Sequence, residues 1–371
     1  MPPTPRTTIA KTFDFSVPAF CMMSVDKTPL VSVIVPAFNS EQYIGDALTS
    51  LTRQSISSIE IIVVDDKSTD DTARIAEEQA AGDTRIRVIR RESASGRPAC
   101  ARNDGLRVAR GKYIALLDAD DIATPDRLDS SVQAMRRTGA RLAFADYRKV
   151  FQDTGEAEPS DFLEAVNFRD RAAGYLTPIS DDVFLCEPSF PAFLFTCIAV
   201  NTPTIVFERG LLDEEPIWFD ESIVCFEDVD LWFRLAARTQ FVFVNDTHAL
   251  NRRHSDSLTA SNPLHTKLDG IAVRKDHLKR LRSTMSHGEI MAAKQTIADL
   301  LWDVSYGNWC NGDLRRARSG FLNSWLTKPT MRAAIGYCKA FIPRTLALAV
   351  VRGSESMITS GELPHDEEIC A

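Results

Sequence analysis

Eight cysteines are spread through the sequence without a single CxxC, and the nearest two, Cys186 and Cys197, are eleven residues apart. This excludes the common zinc and dithiol frameworks and predicts scattered free thiols, as a reducing compartment favours. There is no excess of positive charge. Lys and Arg number 43 against 51 Asp and Glu, a net charge of −8, which argues against a general nucleic-acid binder. No apolar run reaches the roughly 18 residues that a membrane-spanning helix requires. GxGxxG and GxxxxGK[ST] are both absent. A dinucleotide cradle and a P-loop are therefore excluded, and phosphate charge would have to be met by a metal and basic side chains. What remains is ordinary in composition. The 371 residues, 44% hydrophobic and 25% charged, suffice for one large domain with an appendage.

The N-terminal stretch carries Arg6 and Lys11 with one short apolar patch, Val17 to Met23, too short for a secretory core. Residues 1–28 read as a flexible leader, with Met22 or Met23 as alternative starts. Regular patterning begins at Pro29. The run Leu30 to Val35 is β-branched and apolar, as in a parallel strand covered on both faces, and Pro36 is expected to end it. A helix follows to Leu51 with Ser40 as its cap. Ile59 to Val64 is a second strand ending in Asp65 and Asp66, and Ser68-Thr69-Asp70 caps the next helix. Arg85 to Ile89 reads as a strand, Cys100 to Val108 as a helix, and Tyr113 to Leu117 as a fourth strand. A helix from Pro125 to about Thr138, capped by Thr124, and a fifth strand at Leu142 to Ala145 complete the alternation. Such alternation predicts a doubly wound sheet with right-handed crossovers.

The fourth strand delivers Asp118, Asp120 and Asp121 from its C-terminal end, where open α/β sheets bind ligands. Closely spaced hard oxygens suit Mg²⁺ or Mn²⁺ with a phosphate; a solvated acidic turn is the plainer alternative. Beyond it, Asp153 to Asp161 reads as an exposed loop or flap within an irregular stretch, 150–200. Thr204 to Phe207 reads as a strand and Arg209 to Glu215 as a short helical turn. In the segment from Phe226 to Leu235, Phe226, Val229, Trp232 and Phe233 share a helical face, and Glu227 and Asp228 occupy the first turn, where the dipole favours anions. Phe241 to Val244 is a strand, and Arg252-Arg253-His254-Ser255 is expected to open a loop. From about Leu268 the pattern is helical only. Ile290 to Val304 forms one amphipathic helix, and Leu314, Ala317, Phe321 and Trp325 resemble one hairpin of a tetratricopeptide-like unit. Met331 to Val351 mixes apolar residues with Arg332, Lys339 and Arg344, which suits a packed helix with a basic face or a peripheral membrane helix.

The collinear segments PAFNSEQYIGDALTSLTRQ, IEIIVVDDKSTDDT, ACARNDGLRVARGKYIALLDADD and FEDVDLWFRL resemble the family 2 glycosyltransferases over about Pro29 to Ser257. The resemblance implies a GT-A type, Rossmann-like mixed sheet flanked by helices, with a C-terminal helical extension. The corresponding division is a leader at 1–28, a GT-A domain at 29–262, a helical region at 263–355 and a tail at 356–371. It further implies that Pro36, Ala37, Phe38 and Asn39 hold the donor nucleotide, with Asp66 against the base. Arg102 would meet the base or a phosphate; a surface arginine is its plainer reading. Asp120 becomes the principal ligand of Mn²⁺ or Mg²⁺, and Asp118 contacts the ribose or the metal. Arg253 and His254 lie at the diphosphate, His254 also at the metal; Asp121 caps the loop, and Asp228 is the catalytic base.

The implied reaction is inverting transfer from a nucleoside-diphosphate sugar to a hydroxyl, in cell-surface glycan synthesis, with a glycan or lipid-linked acceptor. The expected location is cytoplasmic, free or peripheral at the inner face of the membrane through the C-terminal helices, with no nucleic acid bound. Two alternatives share the fold. A sugar-nucleotide nucleotidyltransferase would carry a Gly-rich basic loop after the first strand, which is absent here; a non-catalytic binding module would have lost Asp120 or Asp228, and both are present.

Overall fold

The structure, a computed structural model, describes residues 28–213, 218–254, 257 and 261–341. Residues 1–27 of the leader, the tail and the second half of the Met331–Val351 segment lie outside the described residues. The chain opens with β1 (Val31–Ala37), α1 (Ile44–Thr52), β2 (Ile59–Asp65), α2 (Thr72–Gly82), β3 (Ile86–Arg90), α3 (Pro98–Val108) and β4 (Tyr113–Leu116). There follow β5 (Ile122–Ala123), α4 (Arg127–Thr138), β6 (Leu142–Phe151) and the one-turn helices α5 (Phe162–Ala165) and α6 (Phe168–Arg171). Next come β7 (Leu176–Pro178), β8 (Val183–Cys186), α7 (Phe190–Phe193), β9 (Val206–Glu208), α8 (Gly210–Asp213), α9 (Glu227–Ala236) and β10 (Phe241–Arg253). The last described elements are α10 (Pro263–Leu281), α11 (His287–Cys310), α12 (Leu314–Thr327) and α13 (Met331–Lys339).

The strands form one mixed sheet in the order β3-β2-β1-β4-β9-β6-β10-β8-β7, with β5 paired to β10. From β3 to β4 all pairing is parallel, and β9 then runs antiparallel to both β4 and β6. Both faces are covered, as the unbroken apolar strands predict. Val31, Val33 and Val35 of β1 join one core with Leu48 and Leu51 of α1, while Ile34 joins the other with Ile62, Val64 and Leu116. Each fully buried aliphatic side chain is worth about 1.5–3 kcal/mol. This is the mixed, helix-flanked sheet that the resemblance implies.

Several boundaries differ from expectation, each for a local reason. β1 continues through Pro36 to Ala37, because β4 has already ended at Leu116 and no strand on that side needs a proline N–H. Ser40 does not cap α1; its N–H donates to Thr72 Oγ1 (2.6 Å), and α1 begins four residues later. Thr124 does not cap α4 either, since its hydroxyl donates to the Thr247 carbonyl (2.9 Å). The largest correction concerns Arg252 and Arg253, which extend β10 instead of opening a loop. They pair in parallel with Val150 and Phe151 of β6, a strand itself six residues longer than its apolar start suggests.

α10 packs on the α/β layer through Arg274 Nε to the Phe195 carbonyl (3.2 Å) and His277 to Asp230 (2.8 Å). α11 begins at a capping box, Ser286 with Glu289, and runs past both expected ends. It stacks on α12 and α13 around Trp309, Ala317, Phe321 and Ala340. Of the repeat-like face, Ala317 and Phe321 are buried but Trp325 is exposed, Ser324 being buried in its place.

α3 lies close to the sheet because Gly105 has no side chain. A Cβ there would stand 2.6 Å from Ile34 Cγ2 and 3.4 Å from Val64 Cγ2. Gly105→Ala is therefore expected to cost about 1–3 kcal/mol by overpacking and to push α3 outward. Calorimetry should find a lowered melting temperature, and a double variant with Ile34→Ala should lose less than the sum of the single losses.

Candidate active site

Parallel strands end their C-terminal edges along one line, and here β1, β2 and β4 deliver three successive turns to the same edge. The turn after β1 is latched to that after β2. Asp66 N donates to the Ala37 carbonyl (2.8 Å), and Asn39 Oδ1 accepts from Thr69 N (2.9 Å). Asn39 takes a left-handed conformation (φ 46°), which asparagine tolerates, and leaves Phe38 exposed at the rim beside Pro36 and Ala37. Asp66 is buried with its acceptor positions already engaged. It takes hydrogen bonds from Arg91, from the Ser95 and Gly96 amides (3.0 Å each) and from Ser95 Oγ (2.9 Å). In this structure it anchors the loop before α3, a role its sequence position did not suggest.

The turn after β4 gathers the acids. Asp121 is buried and accepts from Asn251 Nδ2 (2.9 Å) and the Arg252 amide (3.1 Å), so it ties the turn to β10 and does more than cap its own loop. Asp120 Oδ2 lies 2.9 Å from His254 Nε2, and the His254 ring packs on Tyr43 at 4.9 Å. Asp118 Oδ1 accepts from Arg102 Nη2 (2.7 Å). Beneath the turn sits the fully buried Arg127, which donates to the Leu116 and Ile205 carbonyls (2.6 and 3.3 Å). Burial pulls its pKa down to about 9, opposed by Asp121 and Asp118, and this still leaves it cationic at neutral pH.

Arg102 joins this edge to a distant part of the chain. It is buried, not on the surface, and it bridges Asp118 to Glu227 Oε1 (2.5 Å), with its guanidinium 5.4 Å from the Phe219 ring. Glu227 opens α9, which starts after Phe226 in a left-handed conformation (φ 71°), uncommon for an aromatic residue. That turn is held by Arg274, 5.4 Å over the Phe226 ring. The next residue, Asp228, accepts from Thr202 Oγ1 (2.6 Å) and from the Val229 amide (2.7 Å). Its charge acts on both Arg102 and Asp118. The start of α9 and the end of β4 therefore face one crevice.

The crevice is short of positive charge. Burial raises the Asp118 pKa; Arg102 opposes this, and Asp120 and Asp228 add to it. Burial with Asp120 and Asp118 raises Asp121 well above its ordinary value. Glu227 is pushed up to about 7 by burial, against the pull of Arg102. Asp118 Oδ2 and Asp120 Oδ1 accept no hydrogen bond from the described residues. These two hard oxygens suit a divalent cation that completes its shell with phosphate and water. A complete cage is not built: among the described residues, no three His, Cys, Asp or Glu side chains are gathered around one point.

β10, which ends one residue before His254, separates its last two arginines. Arg252 turns to Asp46 (2.6 Å) and stacks 5.5 Å over Tyr43, while Arg253 projects from the opposite face of β10, exposed, where its charge reaches Tyr147. Sequence reasoning missed Thr202, Arg127 and Tyr43. Thr202 falls between the irregular 150–200 stretch and the expected strand at Thr204, and Arg127 lies in an expected helix start. A further cleft of about 590 Å³ lies along α9, lined by Trp218, Phe219, Glu221, Asp230, Arg234 and Asp269 among others.

Residues 32–190 match the sequence family Glycosyl transferase family 2. The succinoglycan biosynthesis protein ExoO of Rhizobium meliloti is 28% identical over 281 residues, which cover 70% of this chain and 75% of ExoO. The first curated relatives are matched over only 39% and 49% of their own lengths. Among solved structures, S. aureus TarS 1–349 in complex with UDP-GlcNAc superposes with a TM-score of 0.60 at 19% identity, covering 87% of this chain and 92% of that one. The mannosyltransferase PcManGT of Pyrobaculum calidifontis, in complex with GDP-Man and Mn²⁺, superposes at 0.53 and 17% identity over 90% and 82%. Similarity at this level establishes the GT-A fold.

Removing one partner from a buried ion pair typically costs about 3–5 kcal/mol. Arg102→Gln should lower the unfolding free energy by about that much, and adding Glu227→Gln should recover part of it; additive losses in a denaturant cycle would disprove the bridge. The raised Glu227 pKa gives a second expectation. Between its ordinary value of 4.5 and about 7 the folded chain holds a proton that the unfolded chain has released. Its contribution is therefore greatest below 4.5 and is lost as pH rises toward 7. Glu227→Gln should flatten that part of the stability–pH curve measured by thermal unfolding.

Proposed function

We propose, from the match of residues 32–190 to Glycosyl transferase family 2, that the chain is a family 2 glycosyltransferase and transfers a sugar from a nucleoside-diphosphate donor to a hydroxyl acceptor with inversion. The observation that carries this reading is the Arg102 bridge, which brings the Asp118–Asp120 strand end and the Asp228 helix start to one crevice. The turn at Pro36–Asn39 and the Asp66 loop form the nucleotide side. Asp120 and Asp118 would hold Mn²⁺ or Mg²⁺, with His254 orienting Asp120, while Arg253, on the opposite face of β10, takes no part. Bound there, the cation would supply Lewis-acid and electrostatic stabilisation of the departing diphosphate.

Asp228, held by Thr202 and its own helix start, takes the proton of the acceptor hydroxyl as the new glycosidic bond forms. One base opposite the leaving group corresponds to a single displacement, hence inversion at the anomeric carbon. Arg102 belongs to the scaffold in this scheme: its charge is committed to Asp118 and Glu227 and it orients them. The likeness to ExoO supports a role in polysaccharide synthesis, with a glycan or lipid-linked acceptor approaching along the α9 cleft. No described helix is long and apolar enough to cross a membrane, and we place the chain peripherally, with its C-terminal helices at the surface where a lipid-linked acceptor resides.

The test is a panel of UDP-, GDP- and dTDP-sugars with Mn²⁺ present or chelated, read by donor hydrolysis and thermal shift. Wild type should respond to one nucleotide class in a metal-dependent way. Asp228→Asn should keep donor affinity while losing about 10²–10⁴ of turnover, and Asp120→Ala should lose the metal dependence of donor binding. Equal loss of donor affinity in Asp228→Asn would refute the base assignment.

A further inference from the structure

The hairpin of α12 and α13 carries an apolar surface that its own small core does not use. Leu322, Trp325 and Leu326 form an exposed stripe on α12, and Met331 and Ile335 form another on α13. The stripes converge at the Lys328-Pro329-Thr330 turn, flanked by the two most exposed of these side chains, Leu326 (63%) and Met331 (76%). An open, largely apolar hollow of about 360 Å³ lies along one face of α13, lined by Met331, Ala334, Ile335, Cys338 and Lys339. The hairpin also reverses the charge of the chain. From Asp313 to Phe341 there are six basic side chains and one acidic, in a protein of net charge −8. Lys328 sits in the turn itself; Arg332, one residue past Met331, lies over Trp302 at 3.6 Å, with Asp303 at 3.8 Å.

Exposed apolar side chains among cations, on an acidic protein, match an anionic lipid surface: apolar groups enter the acyl boundary while Lys and Arg stay at the headgroups. We propose that the Leu326–Arg332 tip docks this chain onto anionic membranes, with Leu326 and Met331 inserted and Lys328 and Arg332 on lipid phosphates. The proposal draws on the glycosyl-transfer reading only for its purpose, which is to hold the crevice at the surface where a lipid-linked acceptor lies.

The full chain is sedimented with phosphatidylcholine vesicles, with and without phosphatidylglycerol. Wild type should bind the anionic vesicles and lose them in high salt. Lys328→Gln with Arg332→Gln should weaken binding about thirtyfold, since each basic residue near the surface is worth about 1 kcal/mol. Leu326→Glu with Met331→Glu should abolish binding at an unchanged melting temperature. Asp228→Asn should bind as wild type does, so a failure of the catalytic reading would leave this result standing. Absence of wild-type binding, or equal binding to neutral vesicles, would overturn the proposal. Self-association of wild type in ultracentrifugation, removed by Leu326→Glu with Met331→Glu, would assign the tip to a second copy and overturn it as well.

Discussion

A buried guanidinium with a carboxylate on either side is stable only while both partners are in place, and Arg102 sets that condition on this fold. Its partners are far apart in the chain, Asp118 at the end of β4 and Glu227 at the start of α9. Separating them would leave uncompensated charge in the interior, which is far more expensive than an exposed ion pair. The position of α9 is thus fixed by electrostatics as well as by packing. Its neighbour on α3, Asn103, strengthens the tie by exchanging hydrogen bonds with the Phe219 backbone (3.0 Å in each direction). Gly105, one turn along the same helix, lets all of this sit close against β1.

The constraint divides the molecule. The parallel half, β3-β2-β1-β4, is built from continuous apolar strands and short crossovers, and its turns latch one another through Asn39, Thr69, Ser40 and Thr72. The other half is mixed in direction. There β9 is wedged antiparallel between β4 and β6, and much of the packing is aromatic, with Phe144 against Phe168, Phe190 and Phe243. Local sequence determines the first half strongly, whereas long-range pairing determines the second.

That division governs how much could be read from the residues alone. β1, β2 and β4 were legible because short apolar runs bounded by proline, glycine or acids have few other uses, and the acids after β2 and β4 marked the crevice. The partners of those acids were hidden. Nothing local distinguishes Arg102 from a solvated helix arginine; only the tertiary fold buries it. Arg252 and Arg253 looked like loop because charge masks the strand, and their partners Val150 and Phe151 are cut off from the apolar start of β6 by the polar run Asp146 to Lys149. Thr202 gave no signal, being one hydroxyl in a short turn, yet it holds the Asp228 carboxylate.

β10 has a consequence for how this site can vary. Its pairing with β6 slips between Val244 and Thr247 and again between Thr247 and Ala249, so its core half and its crevice half are out of phase. Side chains alternate strictly along a strand, and adding or removing one residue reverses everything beyond the change. A single-residue length difference in 245–249 would exchange the two arginines: Arg253 would face Tyr43 and Asp46, and Arg252 would turn away. A length polymorphism at that bulge would rebuild one wall of the crevice in a single step, together with the Asn251 and Arg252 contacts that hold Asp121.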